Sequence, residues 1–250
     1  MSALLLALGA GAVTGLALGA LGGGGSVLAV PALIYLLGFT PAAATTASLV
    51  VVTVTSATAL VAHAREGAVR WRAGAVFAAA GIVPAAVGGA ISRQLPAALL
   101  TGAFAVLAAV AALRMLRPST PGSTAVPVAA RASRVAGAGA GLGAVTGVLG
   151  VGGGFLAVPS LVNVVGLRMR AAIGTSLLVI TINSLTALAA RTGSAADVDW
   201  SAVGPFAGAA ILGAWDGRRL AARLSAGTLQ RIFAYALLAV AAFMLVDAVG

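Results

Sequence analysis

Leu21-Gly22-Gly23-Gly24-Gly25-Ser26-Val27-Leu28-Ala29-Val30-Pro31 (21–31) returns, altered, as Leu149-Gly150-Val151-Gly152-Gly153-Gly154-Phe155-Leu156-Ala157-Val158-Pro159 (149–159). The two copies stand 128 residues apart, and the match extends outward without a gap. Gly11–Leu60 set against Gly139–Leu188 gives 24 identities in 50 positions. Among them are Gly11/Gly139, Gly15/Gly143, Gly19/Gly147, Pro31/Pro159, Ser48/Ser176, Thr53/Thr181, Ser56/Ser184 and Thr58/Thr186. A slip of one residue carries it on through Trp71/Trp200, Phe77/Phe206, Ile82/Ile211, Gly88/Gly217 and Phe104/Phe233. Shared apolar composition does not align prolines and hydroxyls in this way, so the chain is an internal duplication. In membrane proteins, duplication marks a transporter-type architecture with its site at the repeat interface.

Each glycine cluster interrupts an apolar stretch too long for one helix, about Ala3–Leu37 and Val135–Val165. A single span needs about 20 apolar residues. Six further stretches complete the pattern, near Pro41–Ala62, Ala73–Ser92, Pro96–Leu116, Met169–Ala190, Ser201–Ala214 and Ala226–Val249. Glycine and proline at membrane depth are tolerated where protein or a water-filled cavity satisfies the freed backbone groups. The sequence therefore predicts an all-α, polytopic transmembrane helical bundle of two homologous repeats, each with Gly-broken or re-entrant helices. The repeats occupy 1–116 and 135–250. Between them, 117–134 carries Pro118, Pro121 and Pro127 and reads as a flexible cytoplasmic linker.

Composition agrees. Of 250 residues, 61% are hydrophobic and 8% charged, with a mean hydropathy of +1.11. Soluble domains carry about a quarter charged residues, so a soluble enzyme, a disordered chain and a disulfide scaffold are excluded. No cysteine is present, which removes thiolate metal sites and cysteine nucleophiles. The formal charge of +10 rests on 15 arginines and no lysine. These sit in short gaps between apolar runs, without a basic patch or aromatic platform, so nucleic acid is not an expected partner. The N-terminus lacks the basic region of a signal peptide and reads as part of the mature chain.

The arginines instead set topology, because cytoplasmic loops collect them. The gap after Gly38 is uncharged, and its counterpart after Gly166 has Arg168 and Arg170. The next gap has Arg65, Arg70 and Arg72, against Arg191 with Asp197 and Asp199. The third has Arg93, against Arg218, Arg219 and Arg223. The bias flips at every gap, which predicts inverted repeats with 63–72, 114–134, 167–170 and 216–231 inside, whereas a count of eight simple spans divides the arginines 8 to 7 and leaves no orientation signal. It also requires an even number of passages, or a returning loop, within each glycine-broken segment.

Two motifs can bind. The glycine breaks (Gly23, Gly24, Gly25 and Ser26; Gly152, Gly153 and Gly154) lead into short helices containing Pro31 and Pro159. Exposed backbone N–H groups and a helix N-terminus make an anion site without formal charge. The neighbouring stripes Gly11, Gly15, Gly19 and Gly139, Gly143, Gly147 read instead as close helix packing. The second motif is a hydroxyl series near two helix starts, Thr46 and Ser48 in one half and Thr175 and Ser176 in the other. Asn183 is the one amide well inside a span and needs a partner when buried. No Asp, Glu or Lys falls in mid-span, and His63 lies at a span end. That disfavours proton relays, metal transport and metalloprotease chemistry, which need clustered carboxylates or histidines. A serine triad lacks its base. No nucleotide loop and no cofactor are implied. Arg65, Arg93, Arg191 and Arg218 read as topology signals able to draw an anion to a vestibule, and Trp71 and Trp200 as interfacial anchors.

The segment Gly19–Leu33 followed by Ala44-Thr45-Thr46-Ala47-Ser48-Leu49 resembles the sulfite exporter TauE/SafE family. The second copy, Gly147–Pro159 followed by Ala172-Ile173-Gly174-Thr175-Ser176-Leu177, resembles it more closely. Half one departs from the Gly-Thr-Ser pattern at Thr45-Thr46-Ala47-Ser48. The resemblance covers nearly the whole chain. It implies a multi-pass permease of the bacterial inner (cytoplasmic) membrane for sulfite, sulfonates or other small sulfur-containing anions. The expected partners are a small anionic substrate and the lipid bilayer, with a homo-oligomer left open. The expected mechanism is alternating access, with both glycine-broken hairpins and both helix starts converging near the midplane. An anion channel with the same site and a non-transporting membrane scaffold are the alternatives.

Overall fold

The computed structural model describes residues 2–21, 27–92, 94–116, 132–151, 153–191, 199–221 and 226–249. All regular structure among them is helical. The helices are α1 (Ser2–Leu21), α2 (Ala29–Pro31), α3 (Pro41–Arg65), α4 (Trp71–Ser92), α5 (Ala97–Leu116), α6 (Ala132–Leu149), α7 (Gly154–Asn163), α8 (Met169–Ala190), α9 (Trp200–Ala221) and α10 (Ala226–Val249). α2 runs directly into a π-helical turn over Ala32–Leu36. Each long apolar stretch contains a long and a short helix: α6 ends at Leu149 and α7 begins at Gly154, while α1 ends at Leu21 and α2 begins at Ala29, with 22–26 outside the described residues. The linker residues 117–131 lie outside the described residues, and α6 begins at Ala132, inside the segment expected to be linker.

α3, α4 and α8 are long and apolar enough to cross a membrane by length and composition. The periphery is apolar, with Leu5, Val13, Val76, Val83, Leu212 and Val246 exposed. That is the reverse of a water-soluble surface and suits hydrocarbon outside. Trp71 and Trp200 open α4 and α9 and are exposed at equivalent positions, as interfacial anchors are.

In lipid, helices gain little from hydrophobic burial against each other, so small residues that allow close approach carry the packing. Two seams show this. α1 lies along α9: Gly11, Gly15 and Gly19 meet the backbone of Phe206, Ala210 and Ala214. α6 lies along α4: Gly139, Gly143 and Gly147 meet Phe77, Gly81 and Ala85. The offsets of 128 and 129 turn one set into the other, residue for residue. A Cβ on Gly15 would stand 2.7 Å from the Ala210 Cα, and one on Gly143 2.6 Å from the Gly81 Cα. Contact positions rise together along both partners, so each seam is a parallel pair. Each half thus lends a helix to the other.

α3 and α8, the equivalent central helices, run antiparallel. Arg191 at the end of α8 meets Thr45 and Thr46 near the start of α3. Ser56 and Thr181 share a 2.9 Å hydrogen bond at mid-crossing. At the far end the Arg70 N–H donates to Thr175 Oγ1 at 3.0 Å. The short helices end alike as well. Gly38 and Gly166 have φ of +69° and +77°, and their N–H groups reach Ile34 and Val162 carbonyls. Phe39 and Leu167 then reach Leu33 and Leu161. The largest buried cluster gathers α5, α10 and the α2–π segment around Leu33, Phe104, Phe206 and Met244.

Candidate functional site

Polar groups gather at the α6–α7 break. Gly150 follows α6 with φ +68°, and Gly153 caps α7 with φ +64°. Both lie in the left-handed region that glycine adopts without a Cβ penalty. The turn presses on α3, where a Cβ at Gly150 would stand 2.8 Å from the Thr45 Cα. A Cβ at Gly153 would stand 2.7 Å from Thr146 Oγ1.

Arg191 enters this junction from the end of α8 and is 2% exposed. Its Nη1 donates to Thr45 Oγ1 at 2.7 Å and Thr46 Oγ1 at 3.1 Å. Its Nη2 donates to the carbonyls of Gly147 at 2.6 Å and Val148 at 3.2 Å. Those carbonyls belong to the last turn of α6, where acceptors lack helical partners and carry partial negative charge. A planar guanidinium with forked donors matches such a set better than an ammonium. Both threonine hydroxyls donate in turn to the Ala42 carbonyl, at 2.9 and 3.0 Å. One cation thereby ties α3, α6 and α8 together. A charge inside a helical membrane bundle is costly to bury and by default marks a functional position.

The same helices, α3, α6 and α8, carry buried polar atoms without a protein partner: Ser48 Oγ, Thr146 Oγ1, Ser184 Oγ and both amide atoms of Asn183. Each such group costs about 1–3 kcal/mol when left unsatisfied. The Asn183 amide faces the α4–α6 seam, where a Cβ on Gly81 would stand 2.7 Å from its Nδ2.

The predicted site residues divide. Gly23, Gly24, Gly25, Ser26 and Gly152 lie outside the described residues. Thr46, Ser48, Gly153 and Gly154 are buried on the elements that form the Arg191 junction. Asn183 is buried two turns back along α8. Thr175 and Ser176 are buried at the opposite end of the α3–α8 crossing, where Ser176 donates to the Ile173 carbonyl at 2.7 Å. Counting from the Ser56–Thr181 contact at 1.5 Å per residue, Ser48 and Ser176 stand about 20 Å apart along the helices. The two helix starts are not brought to one point, because equivalent ends of antiparallel helices point away from each other. Pro31 is buried beside a separate apolar groove lined by Tyr35 and Phe243. Pro159 is exposed on α7. Arg191 is not the loop residue its sequence neighbours suggest.

A bundle of apolar helices, parallel small-residue seams and a buried cation beside broken helices belong to the class of integral membrane transporters. The family model described as sulfite exporter TauE/SafE matches residues 7–244, and this chain belongs to that family. It is 35% identical to a protein of Xylella fastidiosa strain Temecula1, over 98% of this chain and 96% of that one. A protein of strain 9a5c is 36% identical over the same shares. Both are named "Probable membrane transporter protein". No solved structure matches the chain at a significant level. It is a membrane transporter and not an enzyme.

Proposed function

We propose that the protein moves a small anion, sulfite or an organosulfonate, across the cytoplasmic membrane by alternating access. Arg191 is the fixed charge of its site. The burial of this guanidinium among threonine hydroxyls at a helix break carries the reading. Arginine stays protonated at any physiological pH, so the site keeps its sign. Thr45 and Thr46 offer hydroxyls that now donate to the Ala42 carbonyl and can turn to an arriving oxyanion. Ser48 and Thr146 add donors with no competing bond. Together these replace part of the hydration shell the anion gives up.

The antiparallel course of α3 and α8 supports the inverted arrangement, in which equivalent helices run in opposite directions and the site becomes exposed to each side in turn. The parallel α1–α9 and α4–α6 seams are consistent with it. Reporters fused after Gly38 and after Gly166 are expected on opposite faces of the membrane. Both on one face would end the inverted reading.

Radiolabelled sulfite uptake into proteoliposomes tests the whole. Wild type is expected to show saturable uptake, whereas a channel would not saturate. Arg191→Lys is expected to lose at least about tenfold, as a compact ammonium cannot replace a forked donor set. Ser48→Ala is expected to raise KM. Absent wild-type uptake, or undiminished uptake by folded Arg191→Lys, overturns the proposal.

A further inference from the structure

We propose that the recess walled by Arg65, just outside the water-sized cavity of His63, is a second anion station, where a small oxyanion binds while the adjoining His63 takes up a proton. The inference rests on the anion-carrier reading above and supplies its coupling ion.

It begins with the repeat. The offset of 128 sets His63 opposite Arg191, Gly19 opposite Gly147, Leu18 opposite Thr146 and Thr55 opposite Asn183. The slipped offset sets Ala214 opposite Ala85. In one copy, Gly147 and Ala85 touch and Arg191 closes over Gly147. In the other, Leu18, Gly19, Thr55, His63 and Ala214 line a cavity. Its inner space is about 10 Å³, room for a single water-sized sphere. Thr58 and Trp215 line both this space and an open recess of about 430 Å³ with Arg65 on its wall. One member of the pair is therefore filled by its own cation, and the other opens outward past a second one.

The imidazole is oriented for conditional charge. His63 Nδ1 lies 3.0 Å from the Ala59 carbonyl oxygen. A carbonyl only accepts, so Nδ1 carries hydrogen and Nε2 is the nitrogen that takes up a proton from solution. Histidine is the side chain whose charge changes between pH 5 and 8. Arg65 gives the recess a permanent positive charge. His63 gives the inner space one only when protonated. An oxyanion and a proton entering together bury less net charge than either alone, which makes joint occupancy favourable.

No other titratable group lines either cavity among the described residues. α1 contributes Leu18 and Gly19, α8 contributes Leu177, and α9 contributes Ile211, Ala214 and Trp215. Arg65 shares α3 with His63, and Asp216, next to Trp215 on α9, is exposed.

Trp215 reports on the site directly. Trp71→Phe with Trp200→Phe leaves it the sole indole of the three in the chain. The probe is methanesulfonate, whose own charge is fixed between pH 5 and 8, titrated into the purified full-length protein while Trp215 fluorescence is read. Binding about tenfold tighter at pH 5.5 than at pH 7.5 is expected, from the coupling of one proton to one anion. His63→Gln is expected to flatten that dependence. Arg65→Gln is expected to weaken binding at both pH values while keeping their ratio. An unchanged pH ratio in His63→Gln, or no binding to the wild-type site at either pH, overturns the inference. Should the double Phe variant fail to fold, methanesulfonate KM for uptake at the two pH values, in wild type and His63→Gln, reads the same ratio. Failure here with intact Arg191-dependent sulfite uptake removes the coupling and leaves the carrier. Loss of Arg191 dependence removes the carrier reading itself.

Discussion

The two helix seams and the two polar junctions at their ends have fared differently since the halves duplicated. Along α1–α9 and α4–α6 the same glycines meet the same backbone positions in the same order. At the junctions, Arg191 stands where the other half has His63, Asn183 where it has Thr55, and Thr146 where it has Leu18. Packing tolerates no change, because each glycine is in backbone contact. The polar positions tolerate change and have taken it. Both proposed anion stations sit where the internal symmetry breaks.

The largest expected effect comes from breaking a seam. Gly15→Leu or Gly143→Leu drives a side chain into backbone that cannot yield, at a cost of about 3 kcal/mol or more. Neither variant is expected to elute as a monodisperse peak in detergent. Gly9→Ala and Gly141→Ala have nothing within 4 Å of the new Cβ and serve as silent controls. Unequal damage from Gly15 and Gly143 would break the equivalence of the seams.

Next is the contrast between the junctions. Arg191→Met leaves two hydroxyls and two carbonyls without their donor and is expected to lower stability by about 2 kcal/mol. His63→Leu, at a half-buried position with one such bond, is expected to cost under about 1 kcal/mol. Thermal unfolding in detergent compares them, and equal costs would sink the contrast.

Asn183→Thr imports the residue of the other half. Removing an unpartnered buried amide is expected to stabilise by about 1 kcal/mol and, if the amide serves the anion, to reduce sulfite uptake. A lower melting temperature would mean that the amide has a structural partner. The smallest effect belongs to the exposed Glu66–Arg170 pair, 3.4 Å apart, which joins the α3 end to the α8 start. Glu66→Gln is expected to change stability by under about 0.5 kcal/mol.

Much of this was legible in the chain. Apolar runs gave α3, α4, α5, α8 and α10 nearly to the residue, since a span must be continuous in hydrocarbon. The glycine stripes point to the seams, and the second glycine cluster to the α6–α7 break. The burial of Arg191 is not legible, because beside Asp197 and Asp199 it reads as a topology signal at a vestibule. Its alignment with His63, at matching ends of equivalent helices, was the available signal. Ser48 and Ser176 were expected together because a linear repeat shows equivalence, while separation depends on the relative direction of α3 and α8. The π-helical turn after Pro31 has no pattern that distinguishes it from ordinary helix.

The exchange of helices between halves has a consequence for how the chain is made. When α1 leaves the ribosome, the surface that receives Gly15 does not yet exist, for Ala210 belongs to the penultimate helix. The first half must wait, its glycine face without that partner, until α9 has been made. A chain truncated after α8 is therefore expected to leave the α1 glycines unpacked, while two halves made as separate polypeptides are expected to pair through the same seams.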